Sequence, residues 1–449
     1  MTPLARSPSS LRGVVAFGGL LACLSLRFHS YLLPPELVDD FLLGLTLLLG
    51  ALFAACLRWT WRGTGEPTVD GPAWLKAGLC ALWIAWLAFL TAGGPDMSPW
   101  IVAVLGAALL ASLATPFAPP SLLRLAAVAA AATTLLGALL ILGRPFAENP
   151  GDMMALVDRG VDRFLAGEFP YRDLRIQGMA ELEYSARPMP YPPALWLSYV
   201  PLAAVGLDLR WLSVLAVAGI GYLLHASAVR AGRDDLADWI LPPLLLAPIF
   251  VLRYPWIQTP IHWLLLAGAG FCLIRGAGAR WVGLVCGLAL GMRETTLILL
   301  PLVAVHFWKL GRRPFVEFAA STGTVVLAVY VPFLVIDSAA FSSSLLYNAL
   351  YVTQLERPLN HIGAGPWLAN LFGPRIVLLL QTAVCLAFYT LTWRHPANAT
   401  RLVGSMGLVY FSFMYLNPLV HEYYYLPALL LMALARLSTD GRRDAAPQR

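Results

Sequence analysis

Apolar runs long enough to cross about 30 Å of hydrocarbon recur along this chain. They lie at 14–32, 38–57, 73–92, 98–115 and 121–142, then at 193–206, 211–228, 236–252, 256–274, 281–308, 316–336, 373–393, 400–417 and 421–436. This pattern predicts an all-α polytopic membrane protein, a bundle of about 12–14 transmembrane helices. Two of the runs are interrupted. Pro242, Pro243 and Pro248 fall inside 236–252, which predicts a broken helix. Arg293-Glu294 divides 281–308, and two short helices meeting at one surface are preferred to a single span, because two ionisable groups at mid-bilayer are costly.

The longest polar interval between these runs is Asn149–Pro193, about 45 residues rich in Asp, Glu and Arg. Within it, Met153, Val157, Val161, Phe164 and Leu165 recur at three- and four-residue spacing, apart from Asp158, Arg159, Asp162 and Arg163. That spacing predicts a short helix, Asp152–Leu165, lying in the membrane interface with its apolar stripe towards acyl chains. Gly167 ends it and Pro170 prevents its continuation. Tyr191-Pro192-Pro193 then opens the next span, where proline costs little because the first helical N–H groups have no partner. With the basic loop around Arg58 and Arg62 placed inside, the loop at 143–192 is extracytoplasmic. Arg253–Pro260, Arg293-Glu294, 337–372 and 417–422 fall on that same side.

Composition agrees with the pattern. Of 449 residues, 59% are hydrophobic and 12% charged, and the mean hydropathy is +0.70, far from the balance of a soluble domain. The net charge of +6 sits in short caps such as Lys309, Arg312 and Arg313, which points to membrane topology and not to a nucleic-acid partner. The six cysteines lie inside apolar runs without CxxC spacing and read as small core hydrophobes. Val14–Leu26 follows Arg6 and Arg12 but lacks a small-x-small cleavage site before Pro34, so it reads as an uncleaved first helix. No internal repeat supports a symmetric transporter. The chain divides into N-terminal transmembrane helices of unassigned role (1–120), a transmembrane module (121–437), and a charged tail (438–449) expected to be disordered in the cytoplasm.

Candidate chemistry collects in the polar segments. Asp152, at the start of the interfacial helix, suits an N-cap and equally a general base at the positive end of a helix dipole. Arg159, Arg163, Arg172 and Arg175 match phosphate oxygens bidentately, or pair with neighbouring acids and anionic headgroups. Arg293 and Glu294 are ionisable groups at a depth where such groups face a cavity or a partner. In NPLVHEYYYL, Asn417–Leu426, an aromatic belt explains the tyrosines, whereas His421 and Glu422 are candidates for holding a sugar or phosphate. His361 lies in a Gly/Pro-rich segment and is a weaker candidate. The seven histidines show no HxxxH or His/Cys spacing, so no metal site or cofactor is legible. Asn398-Ala399-Thr400 matches a glycosylation acceptor on the side expected to be cytoplasmic, where it reads as chance.

Taken in order, Asp152, a short helix, Gly167-x-x-Pro170-Tyr171 and Tyr191-Pro192-Pro193 resemble the first external loop of GT-C superfamily glycosyltransferases. The pattern is most similar to glycosyltransferase family 87, the polyprenyl-phosphate-mannose-dependent enzymes, and to the GPI mannosyltransferase I type. The resemblance covers roughly 121–436. It implies a GT-C-like bundle in the cell membrane that moves a sugar, mannose first, from a polyprenyl-phosphate donor to an extracytoplasmic lipid or glycan acceptor with inversion. It also implies Asp152 as the base and Arg293 as the best match for the donor's phosphate site, with Arg159, Arg163, Glu294, His421 and Glu422 beside it. Tyr171, Arg172, Tyr191 and His361 would shape the loop or meet the acceptor. The chain departs from the family in lacking DxD, since Met153-Met154 follow Asp152, which leaves a divalent metal without support. Two alternatives are an O-antigen ligase or polymerase type enzyme, which usually places its large loop late in the chain, and a non-catalytic transporter, which requires a polar path through spans that are here nearly uncharged.

Overall fold

A computed structural model of the chain describes residues 9–26, 35–62, 73–92, 99–117, 124–143, 152–172, 189–354, 362–395, 397–418 and 421–439. Among these residues all regular structure is helical and no strand occurs. The chain opens with α1 (Ser9–Leu26), α2 (Pro35–Arg62), α3 (Ala73–Ala92), α4 (Pro99–Ala114), α5 (Leu125–Gly143) and α6 (Asp152–Leu165). It continues through α7 (Pro193–Leu197), α8 (Val200–Ala204), α9 (Trp211–Arg230), α10 (Asp234–Leu245), α11 (Pro248–Val251), α12 (Pro260–Ile274) and α13 (Ala279–Met292). The last six helices are α14 (Leu300–Leu310), α15 (Arg312–Gln354), α16 (Ala364–Phe372), α17 (Pro374–Arg394), α18 (Ala399–Tyr415) and α19 (Leu426–Leu437). Single 3-10 turns occupy Tyr254–Trp256, Glu294–Ile298 and Glu422–Tyr425.

Six of these stretches are long and apolar enough to cross a membrane, and a bent pair, Leu236–Leu245 with Pro248–Trp256, makes a seventh if its 51° break is counted within one span. This is fewer than the 12–14 full spans that the apolar runs predict. The difference has a local cause. Pro193, Pro201, Pro248, Pro260 and Pro301 each lie in the first turn of a helix, so the apolar runs are divided into short pieces, including the two runs expected to be broken. The polar pair Arg293-Glu294 separates α13 from α14, as the two-helix reading of 281–308 required. The resulting apolar helices have 10–17 residues, and at about 1.5 Å per residue they are too short for a straight crossing.

The hairpin of α18 and α19 forms the centre of the bundle. Every residue of α19 is buried, as expected of a helix that is hydrophobic all round. In α15 and α17, by contrast, only 11% and 17% of the apolar window is buried, so these helices present leucine- and valine-rich faces outward, as lipid-facing helices do. α13 lies against α15 along Gly283, Gly287 and Gly291. A Cβ on Gly283 would sit 2.6 Å from the Phe318 carbonyl oxygen, so the absence of a side chain is what lets the two backbones approach.

The N-terminal helices belong to the same core. Phe17, Leu20, Leu21 and Leu24 of α1 are fully buried, and the helix packs against α2, α10 and α11. Ser25 Oγ accepts from the Ile249 amide at 3.4 Å. The Thr46 carbonyl accepts from Tyr415 Oη at 3.1 Å, while its hydroxyl accepts from the Gly363 amide at 3.1 Å.

Candidate functional site

Described residues of the polar segments that the sequence is expected to place on one side of the membrane come together at one end of the bundle. The first is α6 with its exit turn. Gly167 has φ +77; its N–H reaches the Phe164 carbonyl at 3.0 Å, and the Glu168 N–H reaches that of Arg163 at 2.8 Å. These two bonds are the Schellman termination that a glycine after the last helical turn makes available. The chain then turns inward. Tyr171 is 1% exposed; its hydroxyl donates to the Tyr191 carbonyl at 2.7 Å and accepts from Trp196 Nε1 at 3.1 Å. Its own carbonyl accepts from Ser344 Oγ at 3.1 Å. Phe333 and Phe341 pack edge-on against the Tyr171 ring at 5.6 and 4.7 Å.

The apolar stripe of α6 has a different partner from the one expected. Met154, Val157 and Val161 are fully buried, in one cluster with Tyr171, Met189, Trp196 and Phe333. Only Phe164 and Leu165 are exposed among the large apolar residues of this helix. The stripe is therefore covered mainly by the protein, because Tyr171, Met189 and α7 pack over it, and not by acyl chains.

Arg293 supplies the second part. It follows α13 in extended conformation, with a side chain turned inward and only 7% exposed. Its guanidinium carbon stands 5.8 Å from the Tyr191 ring centroid and 5.2 Å from that of Tyr424, a cation–π sandwich between the loop and the last segment. Nε and Nη2 have no hydrogen-bond acceptor among the described residues. Glu294, next in sequence, is exposed. Beneath Arg293 lie His262, whose Nε2 is 2.9 Å from Thr296 Oγ1, and Tyr410, 3.1 Å from Thr295 Oγ1. Gln258 is fully buried with neither end of its amide paired among the described residues.

The third part is the segment before α19. Glu422 is buried and accepts both Nε and Nη2 of Arg253 on one carboxylate oxygen, at 3.2 and 3.0 Å. His421 stacks on Tyr423 with ring centroids 5.4 Å apart. Tyr423 Oη lies 3.1 Å from Met153 Sδ, which brings the start of α6 against this segment. Met153, Tyr191, Arg293, Tyr423 and Tyr424 thus form one contiguous patch from four distant stretches of chain.

No protein-family model matches the chain, and no match was found among curated proteins or among solved structures. Arg163 is committed to Glu168 at 3.2 Å and to the Arg172 carbonyl at 2.8 Å. Arg172 is committed to Asp337 at 3.2 Å. Asp337 breaks the helical path of α15 and caps the helical stretch after it, accepting from the Ala340 amide at 3.0 Å. Arg159 is exposed on the outward face of α6 and does not join the patch. Asp152 is the first residue of α6, with its side chain outside the described residues. His361 and 173–188, which includes Arg175, also lie outside them, as does 440–449.

One carboxylate escaped the sequence reading. Burial, reinforced by the Asp162 and Asp208 carboxylates, pushes Asp158 up to about 6, with Arg159 opposing. The Asp158–Asp162 spacing on one helix is legible in sequence; the approach of Asp208 is not. Gln258 and His262 carry no local signal beyond being polar residues in an apolar run. Among the described residues no three His, Cys, Asp or Glu come together as metal ligands.

Proposed function

We propose that the chain is an integral-membrane glycosyltransferase using a polyprenyl-phosphate sugar, mannose first, with an extracytoplasmic lipid or glycan hydroxyl as acceptor. The observation that carries the reading is Arg293. A buried guanidinium with unpaired N–H groups is costly in isolation, and its planar fork matches phosphate oxygens. Its position between Tyr191 and Tyr424, beside the start of α6, supports a donor phosphate held there with the sugar towards α6.

In this mechanism the acceptor oxygen attacks the anomeric carbon while Asp152 takes its proton. The bond from the anomeric carbon to the phosphate oxygen breaks, and its electron pair leaves with the polyprenyl phosphate, whose growing charge Arg293 stabilises. A single displacement inverts the anomeric centre. The aromatic faces of Tyr191 and Tyr424 keep the arginine in place and exclude water from its flanks.

The test is sugar transfer from polyprenyl-phosphate mannose, with the glucose and arabinose donors in parallel, in membranes carrying wild type, Asp152→Asn or Arg293→Gln. Transfer by the wild type alone supports the reading. Undiminished transfer by Asp152→Asn removes that residue as base, and unchanged donor affinity in Arg293→Gln removes the phosphate site.

A further inference from the structure

At the opposite end of the bundle, where α14 and α17 finish and α18 begins, the surface carries a second polar recess. α18 has 17 residues, which at 1.5 Å each puts its start roughly 25 Å along its axis from the end that leads to the Arg293 patch. The recess is small and open on one side. Its lining includes His306, Lys309, His395, Asn398 and Arg401, two histidines and two cations, with no carboxylate among the described residues.

These groups are not simply solvated caps. His306 is 8% exposed and lines the recess without a hydrogen-bond partner among the described residues. Lys309 is fixed in the wall, its ammonium donating to the Thr392 carbonyl at 2.7 Å and to that of His395. It thereby neutralises the carbonyl end of α17. Asn398 caps α18 by accepting from the Arg401 amide at 2.8 Å, so the positive end of the α18 dipole also faces this region. The Arg401 guanidinium itself makes no ion pair or hydrogen bond among the described residues. A residue set with fixed positive charge, free donors and no acid selects an anion, and the guanidinium favours tetrahedral oxyanions.

We propose that this recess is a phosphate-binding site, separate from the Arg293 patch, that takes either the headgroup of an anionic phospholipid or a free phosphate. Arg401 supplies the fork, His306 a donor from the buried wall, and Lys309 the standing charge. The proposal is independent of the transferase reading, since it concerns binding at the other end of the molecule.

The experiment is calorimetric titration of the full-length protein in an uncharged detergent with inorganic phosphate and, separately, with dihexanoyl phosphatidic acid. A saturable component that survives Arg293→Gln and weakens about tenfold or more in Arg401→Gln is expected. His306→Gln should weaken it as well; Arg401 is partly exposed, so its variant keeps the measurement interpretable if the buried histidine variant fails to fold. Phosphatidic acid binding at least about tenfold tighter than phosphate identifies a lipid headgroup site, and equal affinities identify a soluble phosphate ligand. The proposal falls if the wild type shows no saturable binding of either probe, or if Arg401→Gln binds both as the wild type does.

Discussion

The guanidinium of Arg293 faces the ring of Tyr424 at 5.2 Å, so the break between two short helices and the segment opening the last helix share one cation–π contact. On the transferase reading this pair sets donor affinity. Arg293→Gln should lower kcat/KM for the polyprenyl-phosphate donor by about 100- to 1000-fold, with Arg293→Lys falling between, because lysine keeps the charge and loses the fork. Tyr424→Phe preserves the ring face and should be near wild type, while Tyr424→Ala should cost about two- to fivefold. Donor titrations on the four variants check the ranking; a Tyr424→Phe defect as large as that of Arg293→Gln would shift the role to the hydroxyl.

Tyr171→Phe keeps the aromatic cluster and removes one hydroxyl. It strands the buried Trp196 N–H and the Tyr191 carbonyl, both of which that hydroxyl serves. The expected loss is about 1–3 kcal/mol, read as a lower Tm in detergent and faster amide exchange in α6. Unchanged exchange would show that α6 is held by its apolar stripe alone.

Close packing of α13 on α15 gives a second stability prediction. At Gly283 a Cβ would meet Ser321 Oγ and the Phe318 backbone, and backbone does not yield as a side-chain tip does. Gly283→Val should destabilise by about 2–3 kcal/mol. Because Arg293 directly follows α13, the same variant should also weaken donor binding in the fraction that folds.

Local chemistry was legible in the sequence and tertiary partnership was not. Gly167 could be placed after a helix because only a residue tolerant of positive φ closes a Schellman turn cheaply. Pro248 announced a break because proline removes a donor and blocks the preceding turn, whereas α10 continues through Pro242 and Pro243. The stripe on α6 announced that something covers it, but an amphipathic period is the same whether the cover is lipid or protein. Likewise Tyr171 and Trp196, or Met153 and Tyr423, meet only through the fold, and nothing in their local spacing encodes the meeting. Glu422 was singled out for its type, yet its partner Arg253 could only be found in three dimensions.

Asp158 makes stability depend on pH. Its carboxyl is held at about 6 instead of 3.8, so between those values the folded state binds more protons than the unfolded state, and stability falls as pH rises through that window. The full penalty is present above about 6. Asp158→Asn should flatten this dependence and raise Tm near pH 7 by an amount corresponding to about 1–2 kcal/mol, allowing for solvent screening at a partly exposed position. Thermal melts of both proteins near pH 5 and near pH 7 test it. A wild-type Tm that rises over that interval in parallel with the variant's would place the ionisation elsewhere.

Glu422 separates a structural carboxylate from a substrate-holding one. Its Oε1 already accepts two N–H groups of Arg253, which leaves it poorly placed to hold a sugar hydroxyl or to sit near a phosphate. Glu422→Gln should therefore destabilise by about 1–3 kcal/mol, less than a fully buried pair would lose because Arg253 is a third exposed and can rehydrate. Turnover per folded molecule should change little. Tm and kcat/KM measured on the same preparation decide the matter: a lower Tm with near-normal kcat/KM makes Glu422 the clamp that orders the tyrosine segment around Arg293. A normal Tm with collapsed kcat/KM would return Glu422 to the sugar-holding role that its residue type first suggested.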